Sequence, residues 1–184
     1  MAKQFESIDA RLKDFIGRQH IFFTASATGD SVNISPRETG CFRVIDANTV
    51  VYLDRTGSGN ETAAHLRADG RLTIMFCAVE GPPMILRLYG RGRAIRRDSS
   101  EYENILISHY DGTEPSGARQ IILLDIDLVQ TSCGFGVPLF DYRAERPSLD
   151  QWTDANGPGG IEIYRREKNT YSMDGLPTGM FDEA

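Results

Sequence analysis

The chain has 184 residues, of which 40% are hydrophobic and 25% charged, with a net charge of -6 and a pI near 5.1. That length and balance allow one unit with a real core and exclude a largely disordered chain. The acidic balance argues against a general binder of nucleic acid or of anionic membrane, since either needs a basic face. No stretch approaches the roughly 18 apolar residues of a membrane helix, and the first residues carry no apolar signal region. Three cysteines, Cys41, Cys77 and Cys133, show neither a paired nor a metal-ligand spacing. A reducing cytoplasm is the expected setting.

In chain order, Ser7 is placed to cap a first helix, in which Ile8, Leu12, Phe15 and Ile16 repeat at helical spacing up to about His20. Ile21 to Ala27 reads as a buried strand, Thr28-Gly29-Asp30-Ser31 as a turn, and Ser31 to Ser35 as the returning arm of a hairpin. Pro36 belongs at an edge or a strand end, because it cannot donate to a ladder. Cys41 to Ile45 and Thr49 to Leu53 form two more strands about the turn Asp46-Ala47-Asn48. Glu61 to Asp69 is a short helix that Gly70 stops. Leu72 to Val79 is a strand, and Met84 to Arg97 a long one that bends at Gly90 and Gly92. Asp98-Ser99-Ser100-Glu101 has the spacing of a capping box before a helix from Tyr102 to His109. Ile121 to Val129 is the last clear strand. A loop rich in Gly and Pro follows, then a short helix around Gln151 and Trp152, another from Gly160 to Lys168, and an extended tail. Six or seven strands without βαβ alternation predict a mainly β chain built on an antiparallel barrel.

Little in the chain announces chemistry. There is no Gly-x-Ser-x-Gly and no His-Glu-x-x-His. His20, His65 and His109 fall in different elements, and nothing near Cys133 marks an activated thiolate. Arg87, Arg91 and Arg93 share a strand face, either as a solvated exterior or as a positive lip beside an anion. One stretch stands out: Thr56-Gly57-Ser58-Gly59-Asn60-Glu61-Thr62, between a strand and a helix. Two readings fit it. It is a turn closed by an ordinary helix cap, or it is a cradle whose backbone N–H groups face an anion at the positive end of the helix.

The ordered set "FFTASATGDSVNISPR", "VVYLDRTGSGNETAAHLRADGRLTIMF" and "ILRLYGRGRAI" resembles the pyridoxamine 5'-phosphate oxidase-like family of FMN-binding split barrels, over roughly Phe15 to Val129. The resemblance implies a split β-barrel domain over residues 1–184, with 133–184 as a loop-and-helix C-terminal extension. It also implies a homodimer with FMN at the subunit interface and an oxidoreductase activity. Carried over by position, Asn33, Ile34, Ser35, Pro36 and Arg37 line the flavin ring. Tyr52 and Leu53 contact it from the next strand, and Ser58, Asn60, Glu61 and Thr62 stand where the family grips the phosphate with Ser-Arg-Lys. That Arg-Lys pair is missing here, and Glu61 is acidic, so the grip would fall to N–H groups, hydroxyls, Arg37 and Arg55. Phe135, Phe140 and Tyr142 are placed either to cover the ring or to pack a dimer, and Phe22, Phe23, Phe42 and Tyr89 add aromatic surface for one. The tail "QTSCGFGVPLFDY" with "DGLP" resembles an uncharacterised subgroup and lacks the arginine-rich ending of the vitamin-forming oxidases. Related split barrels hold haem or deazaflavin, and a cofactor-free dimer with a binding or stress-related role is the alternative of another class.

Overall fold

Strand alternation, rather than helix periodicity, organises the chain, and the computed structural model, which describes residues 2–29 and 31–182, is built on one curled antiparallel sheet. Its elements are β1 (Lys3–Phe5), α1 (Ala10–Gly17), β2 (Ile21–Ala27), β3 (Val32–Glu38), β4 (Phe42–Val44), β5 (Thr49–Arg55), α2 (Glu61–Ala68), β6 (Arg71–Cys77), β7 (Ile85–Arg96), α3 (Ser100–His109), β8 (Ala118–Ser132) and α4 (Ser148–Lys168). The strands lie in the order β3-β2-β6-β7-β8-β5-β4, and β1 joins the free part of β8 through Phe5 opposite Val129. The result is a half-barrel with helices on its flanks. β3 is an edge strand, the position that suits Pro36.

The predicted strands and the helices of the first two-thirds are present within a few residues, with physical reasons for the differences. The cap of α1 is Asp9, whose carboxylate accepts from the Leu12 N–H at 2.7 Å. Ser7 lies too early, because Ile8 is still outside the helix and donates its N–H to the Ala47 carbonyl at 2.8 Å. β1 has only three residues and no period to read. The turn after β2 is closed by the Thr28 N–H on the Ser31 carbonyl at 2.9 Å, and Asp30 lies outside the described residues. α4 breaks at Gly157 (φ 62°, ψ 173°) ahead of Pro158, so the two expected C-terminal helices abut. The tail is not extended. It folds back through a bridge between Tyr171 and Pro177 and buries Thr178.

The core fills the concave face. Phe22, Phe42, Phe76 and Tyr52 pack with ring centroids between 5.1 and 5.6 Å apart. α1 closes one end with Leu12, Phe15 and Ile16. Each such side chain contributes roughly 1.5–3 kcal/mol by leaving water. Phe22 and Phe42 lie wholly inside this core and supply no surface to a partner, contrary to expectation.

The bend in the long strand is a bulge. Tyr89 pairs with Leu128 but Gly90 pairs with Ile126, so Asp127 of β8 is the extra residue. A Cβ on Gly90 would meet the Asp125 main chain, with its carbonyl carbon 2.9 Å away. Gly90→Ala is therefore expected to lower the urea midpoint, at a cost of about 1–3 kcal/mol. Gly17→Ala, at the end of α1 with nothing within 4 Å of its Cβ position, should leave stability level or raise it by up to about 1 kcal/mol.

Candidate functional site

The hairpin delivers alternate side chains to opposite sides of the edge strand. Phe22, Thr24 and Ser26 point into the core, and their cross-strand partners are Arg37, Ser35 and Asn33. Asn33, Ser35 and Arg37 thus share the inner side, toward the start of α2. Val32, Ile34 and Pro36 face outward, with Val32 73% and Ile34 66% exposed. Asn33 donates from Nδ2 to Thr62 Oγ1 at 3.2 Å, and Ser35 donates from Oγ to Asn33 Oδ1 at 3.3 Å. The five residues expected to act as one lining strip are therefore split between two faces.

β5 runs through the core beside this hairpin. Tyr52 and Leu53 are fully buried, and Tyr52 Oη has no hydrogen-bond partner among the described residues. Burial pushes the Tyr52 phenol well above its usual range. Two residues on, Asp54 shares the inward parity of Tyr52 and is 1% exposed. Its Oδ2 accepts from Arg119 Nε and from Gln120 Nε2, both at 2.8 Å, and Arg37 Nη2 stands 3.2 Å from its Oδ1. Burial alone would raise the Asp54 carboxyl, but Arg119 and Arg37 more than offset this and hold it below the usual carboxylate range. The Arg37 pair lacks hydrogen-bond alignment: Arg37 Nε and Asp54 Oδ1 are both buried without a partner. One carboxylate between two guanidiniums leaves a residual positive charge at this point.

The loop Gly57–Thr62 is tied to the sheet by its carbonyls. Arg119 Nη1 donates to the Gly59 carbonyl at 2.9 Å and to Asn169 Oδ1 at 2.8 Å, while Asn169 Nδ2 donates to the Gly57 carbonyl at 3.0 Å. Asn60 does not cap α2. Its Oδ1 accepts from Gln120 Nε2 at 2.8 Å and its Nδ2 reaches the Asn169 carbonyl at 3.5 Å. Of the two readings of this stretch, the ordinary side-chain cap is therefore not made. The first turn of α2 keeps its unpaired N–H groups beside an open space.

That space is a cavity of about 180 Å³, lined by Ser35, Arg37, Gly57, Ser58, Gly59, Asn60, Glu61, Thr62 and Arg119. A larger cavity of about 690 Å³ lies on the other side of Arg119, against α3 and α4. Its arginines are spoken for: Arg97 pairs with Glu114, and Arg96 with Asp98. The strand arginines are also engaged. Arg93 is bidentate on Glu101, whereas Arg91 donates to the Asp69 carbonyl at 2.7 Å and Arg87 to Ser132 Oγ at 3.2 Å, neutral acceptors that orient these two arginines without cancelling their charge; none of the three lines the small cavity. Arg55 turns away from the cavity to the Ser116 carbonyl and Asp150. Phe135, Phe140 and Tyr142 do not line it either. Tyr142 stacks on His20 at 3.7 Å, and the Phe140 N–H donates to the Val79 carbonyl at 2.9 Å. His65 is buried between Ser26 Oγ at 3.2 Å and Ser31 Oγ at 3.3 Å. Burial pushes the Cys41 thiol up to about 12, which removes it as a nucleophile.

Sequence reasoning missed Asp54, Arg119, Gln120 and Asn169. Asp54 was detectable, because its parity with Val50 and Tyr52 turns a carboxylate into the core, where it needs a cation. The charge triad makes a testable demand. Asp54→Ala leaves two guanidiniums without their anion and is expected to cost about 3–5 kcal/mol in urea unfolding. Because the folded carboxyl is depressed, its contribution is fully present above the ordinary Asp range and is lost as pH falls through the folded value. Wild-type stability should therefore decline below about pH 4, more steeply than that of Asp54→Asn.

The profile of a family described as pyridoxamine 5'-phosphate oxidase matches residues 8–133. The pyridoxamine 5'-phosphate oxidase family protein ustO of Aspergillus flavus is 37% identical over 190 aligned residues, covering 94% of this chain and 76% of that protein. Among solved structures, HupZ of Group A Streptococcus superposes with a TM-score of 0.52 at 19% identity, over 66% of this chain and 91% of that one. A candidate pyridoxamine 5'-phosphate oxidase of Lactobacillus delbrueckii gives 0.53 at 14% identity, over 68% and 94%. At these identities the two structures speak to the fold, which they share as split barrels.

Proposed function

Because the chain belongs to the pyridoxamine 5'-phosphate oxidase family, we propose that it is an FMN-dependent oxidoreductase whose cofactor phosphate enters the cavity between β3 and the Gly57–Thr62 loop. The observation that carries this reading is the lining of that cavity: two arginines, the hydroxyls of Ser35, Ser58 and Thr62, and an uncapped helix start. These groups suit a phosphate, which favours guanidinium forks and free N–H groups. Arg119 adds positive charge from the floor, and Arg37 Nε, buried and without a hydrogen-bond partner among the described residues, needs only a shift of its side chain to donate to a ligand. When bound, the flavin supplies the redox chemistry, and this chain supplies orientation and charge. Arg37 and Ser35 would hold the phosphate side, with Asn33 keeping Thr62 in place. Tyr52 would act from beneath the site as packing, while Leu53, next to it on β5, faces the opposite side of the strand.

The cavity also bears on assembly. Sites for drug-sized ligands run to about 300–1,000 Å³, so about 180 Å³ suits the phosphate end only. The exposed outer face of β3, with Val32 and Ile34, lies alongside. A second copy of the chain would complete the ring site, as the family resemblance implies. Light scattering should then give about twice the 20.5 kDa chain mass, and a monomer at tens of micromolar would remove the interface site.

Titration with FMN should quench flavin fluorescence to saturation in the micromolar range or below, and the absence of saturation overturns the reading. Arg37→Ala removes a charged hydrogen bond worth roughly 1.5–3 kcal/mol, so FMN affinity should fall by about one to two orders of magnitude. Arg97→Ala, whose arginine pairs with Glu114 away from the cavity, should change it little. The Arg37 side chain is only 25% exposed and faces Asp54. Its loss should therefore also lower stability, where a surface position would not.

A further inference from the structure

Glu61 is the first residue of α2 and is half-buried. The carboxylate folds back over Gly59 and fills the space that a Cβ there would need, with Oε1 2.8 Å and Cδ 2.9 Å from that position. It lies in the cavity wall with Arg37 and Arg119. Both arginines are directed elsewhere, to Asp54, the Gly59 carbonyl and Asn169. Among the described residues the carboxylate makes no hydrogen bond or ion pair. It stands at the start of α2 in the same cavity that a bound phosphate would occupy.

We propose that Glu61 is the residue that sets ligand specificity at this site, as a resident anion that a phosphate group must displace. Two anions cannot share so small a space without strong repulsion. Displacing the carboxylate offsets part of what a ligand's phosphate gains from Arg37 and the helix start, so wild type favours FMN over riboflavin by less than the same site would without the carboxylate. The identity of the ligand as a flavin rests on the function proposed above. The competition between carboxylate and phosphate does not, so the two are tested separately.

The first arm uses inorganic phosphate alone. At roughly tenfold excess over its dissociation constant it should raise the Tm of Glu61→Gln by about 3–6 °C over chloride at equal ionic strength, and that of wild type by no more than about 2 °C. Glu61→Ala should behave as Glu61→Gln does, which separates charge from any effect on the helix start. The second arm compares flavins by fluorescence titration. FMN should bind Glu61→Gln at least about tenfold tighter than it binds wild type, while riboflavin shifts by no more than about twofold. Equal stabilisation of wild type and variants by phosphate overturns the proposal, as does an equal change for both flavins or weaker FMN binding by Glu61→Gln. If neither flavin binds any of the proteins but phosphate stabilises only the variants, the flavin reading falls and the role of Glu61 stands.

Discussion

The site depends on one buried electrostatic arrangement, Asp54 held between Arg119 and Arg37. Taking three charges out of water is costly, and close geometry with additional hydrogen bonds has to offset it. Gln120 supplies one such bond to Asp54, and Arg119 directs Nη1 to the Gly59 carbonyl and to Asn169 Oδ1. Through these contacts the triad joins the edge hairpin, β5, β8, the loop before α2 and the end of α4. It also leaves a net positive charge under an anion-sized space, in a chain that is acidic overall. Local arrangement, and not total charge, decides what such a space can hold.

The triad is also asymmetric, which separates support from recognition. Arg119 is aligned on Asp54, bonds twice more and is almost wholly buried, so it acts as a structural post. Arg37 meets the same carboxylate at 3.2 Å without alignment and keeps an idle Nε. A guanidinium in that condition can reorient toward a new anion at little cost, since its present partner retains Arg119. Tyr52, with its unpartnered hydroxyl in the same region, adds a second polar atom that a small rearrangement would satisfy.

The fold was largely legible because alternation is a local signal. Ile21 to Ala27 reads as a strand and is one, residue for residue, and Pro36 marks the edge by its missing N–H. Where two local signals compete, the sequence is silent about the winner: Ser7 and Asp9 are both competent caps, and a tertiary bond from Ile8 to Ala47 decides between them. The candidate site was half legible. Asn33, Ser35, Arg37, Ser58, Asn60, Glu61 and Thr62 do gather at one place, yet Ile34 and Pro36 turn to the opposite face. Arg119 and Asn169 could not be read, because their partners lie 60 and 112 residues away along the chain. Arg119 sits at the start of an apolar strand and Asn169 just past a helix end, and neither position differs locally from an ordinary solvated one.

Asn169 gives the loop a place in time as well as in space. Its side chain fastens the Gly57 carbonyl across 112 residues of sequence, and its own carbonyl accepts from Thr178 Oγ1 at 2.7 Å. During synthesis at about 5–20 residues per second, the loop emerges roughly 6–22 seconds before the residue that fastens it. β2, β3 and β5 can pair in that interval, but the cradle beneath Gly57 and Gly59 cannot be completed until the end of α4 arrives. The anion-sized space is thereby closed only after α4 has been made, and a nascent protein truncated before Asn169 would carry the strands around it without its floor closed.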